Sequence, residues 1–423
     1  MKEKACYVGF PPLAAADDIL DALVRDPPDR RWRVVRDLFR IADPNDTREL
    51  IAKLQQHLYE VEDFRIRYRI TIALQALHYQ GRTEDYVLVR GKGAFHADEF
   101  ESWENQNHAT AIPRPDPSFF PVVDFHVHPK LPDLKFFGDM RQAGVTHAVI
   151  LATDTDPDDL DRPEIVEKLR KAYAGCAESH NVPFEKILNQ IRASLYSPSH
   201  VTNQDVADWV EDYPDILFGF GSVNLSRDRG YVEQKLEEID KLGMKGVKLL
   251  PYSQFFDPAS DENVEVLFDY CRRTGATVLS HTGCGAGPFE IPELCWNARP
   301  QLWEPILKKF PDVPLVLAHS GAYSSYIPGI WLYETLQLGK KYRNLYADLA
   351  AVEWILDREI VVKEIRKTIG FDRILYGTDY PLPLTAGVGM TYLVSAVKAN
   401  IHLTEKEKRK VLGENAARLL RIA

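Results

Sequence analysis

Two histidines, His126 and His128, stand two positions apart in the segment VVDFHVHP, directly after a run of apolar residues. Three more polar residues follow apolar runs in a similar way: His281 comes after ATVLS, His319 after PLVLA and Asp379 shortly after RILYG. Imidazoles and carboxylates are costly to bury alone, and a divalent cation can satisfy several of them at once. The joint pattern therefore indicates a metal-binding site.

Each of these residues also has a structural explanation when it is taken singly. A histidine that ends a strand is often a satisfied core residue, an HxH pair can arise by chance, and GTDYP can be a simple turn. A sixth candidate, Lys248, lies inside the apolar run GVKLL and could be an exposed or ion-paired lysine. What favours chemistry is that these six residues lie in or shortly after five separate apolar runs, in one consistent order.

Eight short apolar runs alternate with helical stretches from about residue 121 onwards. The runs are VVDFHV (122–127), THAVILAT (146–153), ILFGFGSV (216–223), GVKLL (246–250), ATVLS (276–280), PLVLA (314–318), NLYADL (344–349) and RILYG (373–377). Such alternation is typical of a parallel sheet with helices outside it. Eight repeats predict a closed (β/α)₈ TIM barrel, a fold whose active sites lie at the carboxyl ends of its strands.

The remaining segments predict two domains. Residues 1–118 contain apolar residues at helical spacing and end in a proline-containing stretch, so we expect a small all-helical domain and a linker there. Residues 119–423 form the expected α/β barrel, with extra helices in the long interval between its second and third strands, residues 155–215. The helical domain could mediate assembly into a homo-oligomer or cover the mouth of the barrel.

Composition excludes several classes of partner. The chain has 423 residues and a net charge of −10, so a long nucleic-acid backbone would be repelled. No stretch approaches the roughly 20 apolar residues needed to cross a bilayer, and we find no secretory signal. The five cysteines form no CxxC pair, which favours a reduced, cytoplasmic protein; they are Cys6, Cys176, Cys271, Cys284 and Cys295.

Five motifs together resemble the amidohydrolase superfamily, in its amidohydrolase-related branch of aminocarboxymuconate semialdehyde decarboxylase-like enzymes. They are VVDFHVHP, GMKGVKLLPYSQ, VLSHTGCG, VLAHSG and ILYGTDYP, and the resemblance covers roughly residues 120–420. It implies one divalent metal, with Zn²⁺ expected first and Mn²⁺ or another transition metal as alternatives. The implied ligands are His126, His128, His281 and Asp379. His319 would stand beside the metal-bound water as a catalytic partner.

The same resemblance implies two reactions on a small-molecule substrate. The first is hydrolysis of a C–N or C–O bond in an amide, lactone or ester by a metal-bound hydroxide, because a metal lowers the pKa of its water to about 7. Asp379 would accept the proton of that water and pass it to the leaving group. The alternative is non-oxidative decarboxylation of an unsaturated or aromatic acid with the same ligands. An interaction protein with an inert barrel is disfavoured by the complete ligand set.

Lys248 distinguishes two versions of the site. In binuclear members of the superfamily a lysine of the fourth strand is carbamylated and bridges two metals. Unmodified, Lys248 could instead bind a substrate carboxylate as a cation. The branch is mostly mononuclear, so we expect one metal, although the fourth strand is too short to show which face Lys248 occupies.

Overall fold

A computed structural model describes residue 53 and residues 121–128, 134–176, 182–195, 201–285, 287–324, 327–381 and 389–422. The helical domain expected in residues 1–118 lies outside these residues, apart from Lys53. That domain and its boundary at residue 119 therefore stay predictions.

Eight parallel strands follow one another around a single sheet in the order of the sequence. They are β1 (Val123–Val127), β2 (His147–Leu151), β3 (Leu217–Ser222), β4 (Gly246–Leu249), β5 (Thr277–His281), β6 (Leu315–Ala318), β7 (Leu345–Asp348) and β8 (Ile374–Leu375). The backbone N–H of Phe125 donates to the carbonyl of Tyr376 over 3.0 Å, which joins β1 to the segment after β8. The (β/α)₈ barrel and all eight predicted strands are thus confirmed.

Helices surround the strands. They are α1 (Leu134–Ala143), α2 (Pro163–Ala174), α3 (Phe184–Leu195), α4 (Asn203–Asp212), α5 (Arg229–Lys241), α6 (Pro251–Gln254), α7 (Glu262–Thr274), α8 (Glu304–Lys309), α9 (Leu332–Lys341), α10 (Glu359–Lys367), α11 (Met390–Lys398), α12 (Glu405–Arg409) and α13 (Asn415–Leu420). Helices α2, α3 and α4 fill the interval between β2 and β3, as predicted. Side-chain caps begin several helices; Asp228, for example, accepts the backbone N–H of Tyr231 at the start of α5 over 3.0 Å.

The barrel interior is packed rather than hollow. Its buried cluster is contributed by every strand except β4 and β7 and is covered by residues of α13; the members are Val123, Phe125, Val149, Leu151, Phe220, Leu279, Val316, Ala318, Leu375, Ala416 and Leu420. These apolar side chains fill the interior, and the polar candidates lie at or near the carboxyl ends of the strands.

A β-bulge in β1 turns the histidine motif inward. Asp124 pairs with Ala148 of β2 and Val127 pairs with Ile150, so two residues of β1 stand opposite one residue of β2. Phe125 can therefore face the apolar core while the next residue, His126, also reaches the interior at the mouth. The bulge thus determines where the HxH pair points.

No helix among the described residues has both the length and the apolar character that a membrane crossing requires.

Candidate metal centre

His126 lies fully buried at the centre of the polar cluster. Its Nδ1 is 2.8 Å from Oδ2 of Asp348, which ends β7. An ionised carboxylate only accepts hydrogen bonds, so Nδ1 carries the ring hydrogen and donates it. The Nε2 lone pair of His126 is therefore left facing the mouth, in the tautomer that a metal ligand needs.

His128 and Asp379 stand next to Nε2 of His126. Nε2 of His126 is 3.2 Å from Nε2 of His128 and 3.4 Å from Oδ1 of Asp379, and His128 Nε2 is 3.8 Å from the same oxygen. Burial raises the pKa of the Asp379 carboxyl to about 7, and nearby Lys248 opposes that rise. The structure therefore brings together three of the four predicted ligands.

A buried carboxylate beneath these residues ties β1 to the turn after β8. Asp124 accepts hydrogen bonds from the backbone N–H of Thr378 over 2.9 Å, from its hydroxyl over 2.6 Å, and from the backbone N–H of His126 over 3.2 Å. The next residue, Asp379, has a left-handed backbone with φ of 59°, and its N–H donates to the carbonyl of His126 over 2.9 Å. Asp124 thus helps hold the two halves of the ligand set in register.

Lys248 faces the barrel interior, which answers the question that the short fourth strand left open. It is fully buried, and its Nζ lies 2.9 Å from His126 Nε2. Burial lowers the pKa of Lys248 to about 8, although Asp379 and Asp348 oppose that shift. Lys248 therefore places its amine among the predicted ligands.

The two imidazoles of β5 and β6 form a second pair. Nε2 of His281 donates to the carbonyl of Cys284 over 2.8 Å, and Nδ1 of His319 donates to the carbonyl of Ala350 over 2.7 Å. The remaining ring nitrogens, His281 Nδ1 and His319 Nε2, are 3.1 Å apart. Burial lowers the pKa of His319 to about 4 and that of His281 well below its usual value, so both rings are neutral at neutral pH.

A strained turn presents His319 to the mouth. His319 and Ser320 both have left-handed backbones, with φ of 59° and 52°. Such conformations cost roughly 1–2 kcal/mol per non-glycine residue and persist only where surrounding contacts hold them. Here the N–H of His319 donates to Oδ1 of Asp348 over 2.6 Å, and the Ser320 hydroxyl donates to the Asp348 carbonyl over 2.6 Å. Asp348 of β7 therefore holds this turn in place.

The donor set fits a divalent cation. Every imidazole hydrogen assigned above points away from the mouth, so lone pairs converge there. Two groups of side chains among the described residues place their ligand atoms within 4.8 Å of one another: His126, His128 and Asp379, and His126, His319 and Asp348. Imidazole nitrogen with carboxylate oxygen is a common donor set for Zn²⁺ and other transition metals. His281 belongs to neither group, and its role as fourth ligand stays a prediction.

Sequence reasoning missed two residues of this cluster, Asp348 and Asp124. Both lie inside apolar runs, as Lys248 does: Asp348 in NLYADL, and Asp124 in VVDFHV two positions before His126. The signal used for the histidines and Asp379, a polar residue that follows a run, does not include them.

An open cavity of about 480 Å³ lies elsewhere, by the loops that follow β2 and β3. It is lined by Asp154, Thr155, Asp156, Pro157, Asp158, Arg227 and Tyr231. Several of its polar groups are paired with one another: Arg227 lies 3.0 Å from Asp156, and the Tyr231 hydroxyl donates to Asp154 over 2.9 Å. The buried histidine cluster is therefore the stronger candidate for chemistry.

Two solved structures are similar to this chain. A solved TIM-barrel protein of uncharacterised function from Bordetella bronchiseptica has a TM-score of 0.50 and 20% identity, over 71% of this chain and 99% of that one. A solved 5-carboxyvanillate decarboxylase from Novosphingobium aromaticivorans, complexed with manganese, has a TM-score of 0.46 and 17% identity, over 69% of this chain and 80% of that one.

Similarity also extends to the sequence. A 2-amino-3-carboxymuconate-6-semialdehyde decarboxylase from Dictyostelium discoideum is 22% identical over 245 residues, or 52% of this chain. The match spans 65% of that relative, slightly less than two thirds of its length. The family model of the amidohydrolases, Amidohydro_2, matches residues 123–422, which cover the whole barrel. The chain therefore belongs to the amidohydrolase family, as its five motifs predict.

Proposed function

We propose that the chain is a metal-dependent decarboxylase that releases CO₂ from an unsaturated or aromatic carboxylic acid. The observation that carries this proposal is the position of Lys248, whose amine is buried at the mouth beside the candidate metal ligands. A buried cation next to a metal site is complementary to a carboxylate, and less so to a neutral amide or lactone. The similarity to a decarboxylase from Dictyostelium discoideum supports the same reaction class.

The metal would be held by His126, His128 and Asp379, with His281 as the proposed fourth ligand. We expect one ion per chain, Zn²⁺ or Mn²⁺, since imidazole and carboxylate suit both. When bound, such an ion supplies Lewis-acid charge that binds the oxygens of the acid and favours the electron-rich species formed on loss of CO₂.

The chain's own residues then supply binding and a proton. In the reaction the C–C bond to the carboxyl group breaks, CO₂ leaves, and the electron pair that stays on carbon takes up a proton. We assign that proton to Asp379, which can ligate through one oxygen and hold a proton on the other. His319, neutral and fixed by the Ala350 carbonyl, orients the substrate through Nε2. Lys248 binds the acid group.

Hydrolysis of an amide, lactone or ester is the second candidate. The proximity of Asp379 to His126 and His128 favours it, because a carboxylate beside a metal site can also take a proton from an attacking water. It was the first expectation from the motifs, but Lys248 and the decarboxylase relative support it less well than decarboxylation.

A substrate screen in D₂O separates the two reactions. Full-length protein loaded with Zn²⁺ or Mn²⁺ is incubated with unsaturated and aromatic acids, lactones and amides, and products are analysed by mass spectrometry. We expect CO₂ from an acid, with one deuterium on the vacated carbon. Products that keep every substrate carbon and gain the elements of water would overturn the decarboxylase in favour of the hydrolase.

Elemental analysis tests whether Lys248 is unmodified or carbamylated. One metal per chain is expected if the lysine is an unmodified cation. Two metals per chain, together with a mass increase that fits a carbamylated lysine, would show that Lys248 bridges a binuclear site instead.

Several further expectations remain proposals. We propose a small-molecule substrate, with neither nucleic acid nor a membrane as partner. We also propose a cytoplasmic location and assembly into a homo-oligomer. The four described cysteines, Cys176, Cys271, Cys284 and Cys295, are buried and form no disulfide with one another, which is compatible with a reducing compartment.

A further inference from the structure

Asp348 lies where the two sides of the mouth meet, although it is not among the predicted ligands. We propose that Asp348 is a positioning residue that fixes the tautomer of His126 and the turn that carries His319. Its carboxylate accepts three hydrogen bonds: Oδ2 accepts from Nδ1 of His126 over 2.8 Å, and Oδ1 accepts the backbone N–H groups of His319 over 2.6 Å and Ala350 over 3.1 Å. The side chain is fully buried.

The arrangement requires a side chain whose oxygens all accept. Three donors surround Asp348, so a group that carries its own hydrogens cannot satisfy them all. An asparagine in this place could turn its amide oxygen to His126, and its NH₂ would then oppose the N–H groups of His319 and Ala350. If it turned the other way, its NH₂ would face Nδ1 of His126. The ring hydrogen would then move to Nε2 and occupy the lone pair that faces the mouth.

Asp348 is also connected to His319 through hydrogen bonds of Ser320 and Ala350. The Ser320 hydroxyl donates to the backbone carbonyl of Asp348, and Nδ1 of His319 donates to the carbonyl of Ala350, whose own N–H is held by Asp348. One carboxylate therefore sets the ring orientation of His126 from β1 and the backbone of His319 from β6. This role rests on the proposed metal site but not on the identity of the reaction.

The tautomer can be read in the wild-type protein without any variant at Asp348. Full-length protein labelled with ¹⁵N-histidine and stripped of metal by a chelator is examined through long-range ¹H–¹⁵N couplings. Its His126 signals are assigned with His126→Gln. We expect hydrogen on Nδ1 and none on Nε2. A hydrogen found on Nε2 would overturn the proposal whether or not the protein binds a metal.

A pair of matched variants then measures the consequence. Asp348→Asn is compared with Asp154→Asn, which makes the same change in a carboxylate that follows β2, accepts the N–H of Asn224 and contacts no histidine of the cluster. Competition with a chromophoric chelator should show Zn²⁺ affinity about 10- to 100-fold weaker in Asp348→Asn. Asp154→Asn should stay within about threefold of wild type.

Equal affinities in the two variants would show that Asp348 does not position the ligand. If Asp348→Asn does not fold, the tautomer is also read in Lys248→Met, because the Lys248 amine lies 2.9 Å from Nε2 of His126 and would itself favour hydrogen on Nδ1. Hydrogen that stays on Nδ1 in this variant supports Asp348, and hydrogen on Nε2 overturns its role. If wild type binds neither Zn²⁺ nor Mn²⁺, the proposed metal site fails, while the tautomer result still tests Asp348.

Discussion

On the side of the mouth formed by β1 and β8, the histidines face carboxylates, whereas on the side formed by β5 and β6 they face backbone carbonyls. His126 lies between Asp348 and Asp379, while His281 and His319 donate to the carbonyls of Cys284 and Ala350. A carboxylate partner raises the basicity of an imidazole ligand as well as orienting it. A carbonyl partner orients the ring without adding charge. The difference indicates that the first side supplies most of the ligands of the cation, with His281 as the proposed fourth, and that His319 on the second side makes neutral polar contacts.

The largest effect should come from Asp379, which contributes to metal binding and to proton transfer. Asp379→Asn keeps the shape of the side chain but removes its charge, so the fold should persist while turnover falls by about 10²- to 10⁴-fold. Circular dichroism would check the fold, and CO₂ release or product formation would check the activity. Retained turnover would remove Asp379 from the mechanism and weaken the distinction between the two sides.

A matched pair of glutamine variants tests the comparison directly. His126→Gln should lose the metal on purification because it removes the nitrogen fixed by Asp348. His319→Gln should keep close to one metal per chain and lose roughly 10²-fold in turnover, since it removes only an orienting contact. Elemental analysis and steady-state kinetics give the two readouts. Equal loss of metal in both variants would mean that the β6 side also binds the cation.

Whether a role could be predicted from the sequence depends on how far apart in the sequence the interacting residues lie. The ends of the strands can be located in the sequence because each strand is a near-continuous apolar run followed by a polar residue. All six candidates lie at the mouth or beside it. The partnership of His126 with Asp348 joins residues 222 positions apart. It arises only when β7 is carried round the barrel towards β1, which no local pattern records.

The orientations of the His126 and Lys248 side chains could not be predicted from the sequence either. The bulge in β1 changes which face His126 occupies without leaving a clear mark in VVDFHV, because apolar residues stand on both sides of the extra residue. The direction of Lys248 depends on its register with Ser222 and Leu279 in the neighbouring strands. Four residues of β4 are too few for the alternation of side chains to reveal that register.

Lys248 should affect substrate binding more than metal binding if it is the anchor for the acid. Lys248→Met has similar bulk without the charge, and a charged hydrogen bond contributes about 1.5 to 3 kcal/mol. The KM for an acid substrate should therefore rise roughly 10- to 100-fold with metal content unchanged. Steady-state kinetics with elemental analysis checks this. Loss of the metal instead would identify Lys248 as a ligand or bridge.

The smallest expected effect is on the pH dependence of stability in protein stripped of metal by a chelator. Burial lowers the pKa of His319 from 6.5 to about 4, so its contribution to stability is present above pH 6.5 and is lost as the pH falls towards 4. Burial raises the pKa of Asp379 from 3.8 to about 7, so its contribution is present at acid pH and is lost as the pH rises through 7. Between about pH 4 and 6.5 the two contributions change in opposite directions and nearly cancel, so the Tm of the wild type should vary little over that interval.

Variants separate the two opposed contributions and assign one to each side of the mouth. His319→Gln should leave a Tm that falls by about 2 to 4 °C between pH 4 and 7, and Asp379→Asn should leave a Tm that rises by a similar amount between pH 4 and 6.5. Added Zn²⁺ should raise the Tm more at pH 8 than at pH 6, because the cation neutralises the carboxylate that ionises in that interval. Identical profiles in the two variants would mean that the two sides titrate as one unit, and the contrast between them would fail.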